Sequence, residues 1–139
     1  MNIVKHTFVA ASLLCGAAYL TKIALIAAAD GGDSTLISAL WVVGTVTFLV
    51  ASALGAALLL RSRAVWMRVI AAVVAVPVAF IVFNLVDSLT KSLYKTDGWF
   101  RDELSLVIIG VVVAAIGLRV LAGGATRGST DHRLTRTRG

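Results

Sequence analysis

Residues 36–60 read LISALWVVGTVTFLVASALGAALLL and contain no charged side chain. An α-helix rises about 1.5 Å per residue, so this stretch can cross the roughly 30 Å of hydrocarbon in a bilayer. Hydrophobic residues make up 59% of the 139-residue chain and charged residues 14%, with a mean hydropathy of +0.95. This balance excludes an ordinary water-exposed surface. The sequence therefore predicts an all-α integral membrane protein.

Three other apolar segments have a similar length. We predict one four-helix transmembrane domain, residues 1–122, with spans at about residues 8–29, 36–60, 64–86 and 104–121. Short polar connections arrange these spans as two hairpins. The third span is predicted to continue as an amphipathic segment at the membrane surface, over about residues 87–95. Residues 123–139 are rich in Gly, Thr and Arg and predict a disordered basic tail.

The cations are distributed unevenly between the two sides of the predicted spans. Nine of the 13 lie on the side of the termini, whereas Lys91, Lys95 and Arg101 lie on the other. Because cytoplasmic loops carry the excess of Lys and Arg, both termini are predicted to be cytoplasmic. The abundance of Arg, Ala and Val is typical of GC-rich bacterial genomes, which favours a bacterial inner membrane.

Membrane topology also accounts for the net charge of +6, so no nucleic-acid partner is expected. Three roles stay open for the basic tail: contact with anionic lipid headgroups, contact with an acidic cytosolic partner, and simple solubilisation.

One cation, Lys22, lies inside the first predicted span. An ammonium group within a bilayer costs at least about 2.5 kcal/mol unless it is paired, hydrated or able to reach the headgroups. Helical spacing aligns Lys22 with Ser12, Cys15 and Tyr19, and this weakly polar seam is predicted to face protein or water rather than lipid.

Two polar residues of the third helix, Asn84 and Asp87, lie at a depth similar to that of Lys22 if both termini are cytoplasmic. We predict a polar intramembrane cluster of Lys22, Asn84 and Asp87. Three interpretations are open: a structural ion pair, a lysine that extends to the headgroups, and a site for a transported ion or substrate.

Small residues recur at intervals of three to seven residues in three of the spans. Such positions allow helix backbones to approach closely in lipid, and at least one stripe is a plausible oligomer interface. The candidate packing residues are Gly44, Ala51, Gly55, Ala71, Ala75, Ala79, Gly110, Ala114 and Gly117. The only proline, Pro77, removes one backbone hydrogen bond and is predicted to kink the third helix.

The sequence contains no pattern typical of a catalytic, cofactor or metal site. The single cysteine, Cys15, excludes an intramolecular disulfide, and the two histidines lie in opposite terminal segments. Asp102 and Glu103 are interpreted as favourable charges at a helix N-terminus. We therefore expect a non-enzymatic protein without cofactor or metal.

Two functional hypotheses remain. The first is a membrane protein that acts through helix–helix association, as an accessory subunit of a membrane complex or as a self-associating unit. The alternative is a small transporter, channel or holin-like pore that uses Lys22, Asn84 and Asp87.

Overall fold

The structure, a computed structural model, contains four helices over the part of the chain that it describes. It describes the backbone of residues 2–29, 34–94 and 98–135, and side chains over 3–29, 34–94 and 98–123. The helices are α1 (Asn2–Ala28), α2 (Thr35–Leu59), α3 (Val65–Leu93) and α4 (Trp99–Thr135). Each contains a stretch that is long and apolar enough to cross a membrane. The chain is therefore an all-α membrane protein with four candidate spans.

Local chemistry sets two of the helix starts. Ser34 has an extended backbone, with φ of −146°, and its hydroxyl accepts a hydrogen bond from the backbone N–H of Ile37 at 3.3 Å, which caps α2. Gly98 precedes α4 and has a φ of 155°. Glycine adopts this conformation at little cost because it has no Cβ. These residues let the chain turn between apolar segments.

The helices form a bundle in which α1 and α3 occupy opposite corners. Helix α1 packs against α2 and α4, and α3 packs against the same two helices. Along the α1–α2 interface, Phe8 lies against Gly55 and Tyr19 lies against Gly44. The later residue of α1 thus contacts the earlier residue of α2, so these two helices are antiparallel.

Helix α1 is the most buried helix of the bundle. Its buried side chains are Phe8, Val9, Ala11, Ser12, Cys15, Ala18, Tyr19, Lys22 and Ile26. The predicted orientation of the seam formed by Ser12, Cys15, Tyr19 and Lys22 is confirmed, since all four face protein. By contrast, the buried residues of α3 are Ala79 and Thr90. The core is thus built around α1, and most of α3 faces outward.

The third helix is continuous through Pro77 and ends at Leu93. Pro77 lies inside α3, and its ring nitrogen offers no N–H to the carbonyl of Val73; a kink there stays a prediction. Of the surface segment predicted over residues 87–95, residues 87–93 belong to the same helix, which ends where the N–H of Tyr94 donates to the carbonyl of Thr90 at 3.0 Å. Residue 95 lies outside the described residues.

The fourth helix is longer than its predicted span. The apolar pattern predicts an end at residue 121, whereas α4 continues to Thr135. No proline interrupts α4, and the glycines of its extension, at 123, 124 and 128, each cost only about 1 kcal/mol in helix propensity. Side chains from residue 124 onward lie outside the described residues, and so do the predicted contacts of the tail with lipid.

Candidate functional site

Lys22 has a full counter-charge inside the bundle. Its Nζ donates to both carboxylate oxygens of Glu103 on α4, at 2.7 Å to Oε1 and 2.6 Å to Oε2. Lys22 is only 6% exposed, and the Glu103 side chain is 18% exposed. Hydrogen bonds between two ionised groups are about twice as strong as neutral ones. The pair therefore offsets much of the cost of burying an ammonium group.

The predicted partner of Lys22 was wrong. Asp87 instead accepts a hydrogen bond from Lys91, one turn further along α3, at 2.8 Å. Asn84 donates to the backbone carbonyl of Phe80 at 2.8 Å. In the described part of the chain, the structure brings Lys22 together with neither Asn84 nor Asp87, because α1 and α3 lie at opposite corners.

Glu103 was missed as the partner of Lys22, although its depth makes it a candidate beside Asp87. It is the only glutamate of the chain and the fifth residue of α4, about 6 Å from the helix start. Lys22 lies six residues before the end of α1, a rise of about 9 Å. Because α1 and α4 are antiparallel neighbours, the two groups reach similar depths. Favourable charge at a helix N-terminus and pairing with Lys22 are compatible roles for the same carboxylate.

A second hydrogen bond links the two ion pairs through α4. The hydroxyl of Ser105, which is almost fully buried, donates to Oδ1 of Asp87 at 3.0 Å. Ser105 follows Glu103 by two residues, which is about 200° around the helix axis, so the same turn of α4 binds α1 on one side and α3 on the other. We call Lys22, Glu103, Ser105, Asp87 and Lys91 the polar layer. It ties three helices together at the end of the bundle where α4 begins.

Next to the polar layer, Tyr19 fills the centre of the bundle. It is fully buried, and its hydroxyl lies 3.2 Å from Oγ1 of Thr45 on α2. A Cβ added at Gly44 would lie 2.6 Å from Cδ1 of Tyr19, and one at Gly110 would lie 3.3 Å from its Cβ. The two glycines therefore make room for the ring between α2 and α4.

The small residues of α2 and α4 that were predicted to pack lie mainly against α1. A Cβ at Gly117 would lie 2.8 Å from Cβ of Ser12, and one at Gly16 would lie 2.7 Å from Cβ of Ala114. The same side of the bundle includes Gly55, against Phe8, and the buried Ala51. In α3, Ala79 is buried, whereas Ala71 and Ala75 are half-buried. The stripes of α2 and α4 thus serve packing within one chain.

Other hydroxyl groups are satisfied by the backbone one turn earlier. Ser12 donates to the carbonyl of Phe8, and Ser52 to that of Phe48, each at 2.8 Å. This pattern is common in apolar helices because a free hydroxyl in hydrocarbon is costly. Among the described residues, no group of three or more His, Cys, Asp or Glu side chains could hold a metal ion.

Comparison with known proteins adds no relative. No protein-family model, curated protein or solved structure matches this chain.

Proposed function

We propose that this chain is a non-enzymatic protein of the bacterial inner membrane that acts through helix–helix association. In this proposal its helices form two hairpins with both termini in the cytoplasm. It serves either as an accessory subunit of a membrane complex or as a self-associating unit. The observation that carries the proposal is the exposed apolar surface of α3.

The outward surface of α3 runs along the length of the helix. It consists of large apolar side chains that are spaced by one or two helical turns and are all more than half exposed: Trp66, Ile70, Val73, Ile81 and Leu85. They lie on the face opposite the buried Ala79. In lipid, burial of such a face against another helix is driven by packing and by polar contacts rather than by the hydrophobic effect.

Pro77 gives this surface a polar feature in its middle. It is exposed, and it deprives the carbonyl of Val73 of the N–H donor that a helix normally supplies four residues later. Freed carbonyls in membrane helices are commonly satisfied by neighbouring helices. A partner helix that carries a hydroxyl or a small residue would fit this position.

The polar groups inside the bundle favour association over conduction. Lys22 is neutralised by Glu103, and Tyr19 pairs with Thr45. A conducting route requires polar groups that are free to replace the hydration shell of an ion. These groups bond to one another instead.

Cysteine cross-linking tests the proposal. In a Cys15→Ser background, Val73→Cys or Ile81→Cys places a thiol on α3, at side chains that are both 66% exposed. Val112→Cys on α4 is the matched control, since Val112 is 51% exposed on another helix. Cross-linking is performed in native membranes and in liposomes at low protein-to-lipid ratio.

We expect the α3 thiols to form a discrete adduct, either a homodimer in both preparations or a heteromeric product in native membranes. The Val112→Cys control should form much less. Equal cross-linking at all three positions, or no adduct from α3 in either preparation, would contradict the proposal.

Transport remains a second candidate because an ion pair joins α1 and α4 within two of the candidate membrane spans. On this alternative, a small transporter, channel or holin-like pore, Lys22→Ala changes ion flux in liposomes without abolishing insertion. Unchanged flux, with the variant present in the membrane, would remove the role of Lys22 in transport.

A further inference from the structure

A cavity of about 700 Å³ lies between the four helices, in the half of the bundle away from the polar layer. Its apolar walls include Phe48 of α2, Val82 of α3 and Ile116 of α4, and its cationic lining residues are Lys5 and Arg61. We propose that this cavity holds an acyl chain of an anionic phospholipid, whose phosphate binds between Lys5 and Arg61.

The depth of the cavity matches one leaflet of a bilayer. Along α4 its lining runs from Val113 to Gly123, which corresponds to about 15 Å of helix, and along α2 it runs from Phe48 to beyond the helix end, about 20 Å. Half of a hydrocarbon core is about 15 Å thick. A lipid with its headgroup at the membrane surface would therefore place its acyl chain along the whole cavity.

The walls suit hydrocarbon rather than a polar ligand. The lining hydroxyl groups, those of Ser12 and Ser52, already donate to backbone carbonyls. Apolar cavities are poorly hydrated, because a water molecule needs two or more polar partners. The volume also lies within the range of about 300–1,000 Å³ that is typical of ligand pockets.

The two cations at the mouth select for an anionic headgroup. Lys5 is half-buried, Arg61 is exposed, and neither side chain pairs with a carboxylate in the described part of the chain. The guanidinium of Arg68 donates to the backbone carbonyls of Arg61 and Arg63, which fixes the connection that carries Arg61. Arginine binds phosphate through two parallel hydrogen bonds, and lysine adds a point charge.

Native mass spectrometry of the full chain, released from nanodiscs, tests the proposal. The nanodiscs contain equal amounts of phosphatidylglycerol and phosphatidylcholine with identical acyl chains. We expect one phosphatidylglycerol to be retained per chain, at least about tenfold more often than phosphatidylcholine.

Two variants separate a lipid site from general attraction to the surface. Lys5→Gln/Arg61→Gln removes the mouth charges, with Arg63→Gln as the control on a neighbouring exposed arginine. Ala75→Phe places a bulky ring in the cavity, in the path of the acyl chain, with Val74→Phe as the control on an exposed position of α3 outside the lining. Circular dichroism verifies that every variant is helical.

The proposal requires that both the charge variant and Ala75→Phe lose the retained lipid, whereas both controls keep it. If Ala75→Phe still retained phosphatidylglycerol at the level of the unmodified chain, the lipid would be bound at the surface and the proposal would be wrong. Equal retention of the two lipids by the unmodified chain would overturn the choice of an anionic ligand.

Discussion

Replacing Glu103 with glutamine leaves the charge of Lys22 inside the bundle without a counter-charge. Removal of one partner from a buried ion pair costs about 3–5 kcal/mol in soluble proteins. Two features place the cost at this site at the low end of that range. Lys22 lies about 9 Å from the end of α1, so its flexible side chain can reach toward the headgroups, and glutamine keeps one acceptor. We expect Glu103→Gln to lower the free energy of unfolding by about 3 kcal/mol.

The double variant Lys22→Met/Glu103→Gln should be more stable than Glu103→Gln alone. Without the ammonium group no charge is left buried, and the remaining cost is one poorly satisfied amide, about 1–3 kcal/mol. A second substitution that restores about 1–2 kcal/mol is the signature of direct coupling in a double-mutant cycle. Asp87→Asn is the matched control: the Lys91 and Asp87 side chains are 40% and 29% exposed and one turn apart, so its cost should stay below about 1 kcal/mol.

Steric trapping in neutral bicelles provides the free energies of unfolding. The single cysteine supplies an independent signal, because Cys15 is fully buried and should react with a maleimide only after unfolding. A cost for Glu103→Gln within about 0.5 kcal/mol of zero would refute the reasoning. So would a double variant whose loss equals the sum of the two single losses, since the pair would then be uncoupled.

Three further predictions concern the centre of the bundle and its polar layer. Gly44→Ala should cost about 1–3 kcal/mol of unfolding free energy because the new methyl group meets the Tyr19 ring. Gly123→Ala should cost nothing, because among the described residues no other helix or side chain lies within 4 Å of the new Cβ; equal losses would be inconsistent with the packing. Tyr19→Phe and Thr45→Val should each lower the free energy of unfolding by about 0.5–1.5 kcal/mol. The double variant should lose no more than the larger single loss, because both substitutions remove the same hydrogen bond. Additive losses in the same trapping assay would argue against that bond. Ser105→Ala should speed amide hydrogen exchange in the last two turns of α3, where unchanged exchange would show that this hydroxyl does not hold the helix end.

The helices could be predicted from the sequence because a membrane span is a run of about 20 consecutive apolar residues, which can be read directly along the chain. The second span was predicted at 36–60 and α2 runs from Thr35 to Leu59. The burial of the Lys22 seam was likewise predictable, because helical spacing places its members on one face and the membrane penalises a free ammonium group.

The partner of Lys22 could not be predicted in this way. Spacing and topology fix the depth of a residue, and both Asp87 and Glu103 satisfy that condition. Which carboxylate is adjacent depends on whether α3 or α4 packs beside α1, and this choice is made by contacts such as those of Gly110 and Gly117 with α1. Apolar periodicity alone carries little information about neighbours in a four-helix arrangement.

The link between Lys22 and Glu103 also has a consequence for biosynthesis. The two residues are 81 positions apart, and ribosomes add about 5–20 residues per second, so roughly 4–16 s separate the synthesis of the lysine from that of its counter-charge. During that interval α1 must enter the membrane with its ammonium group still unpaired. We therefore expect the nascent helix to remain beside the insertion machinery, or with Lys22 at the bilayer surface, until α4 emerges. The most buried of the four helices is thus the first of them to be synthesised, and its lysine gains a counter-charge only once the last of them is in place.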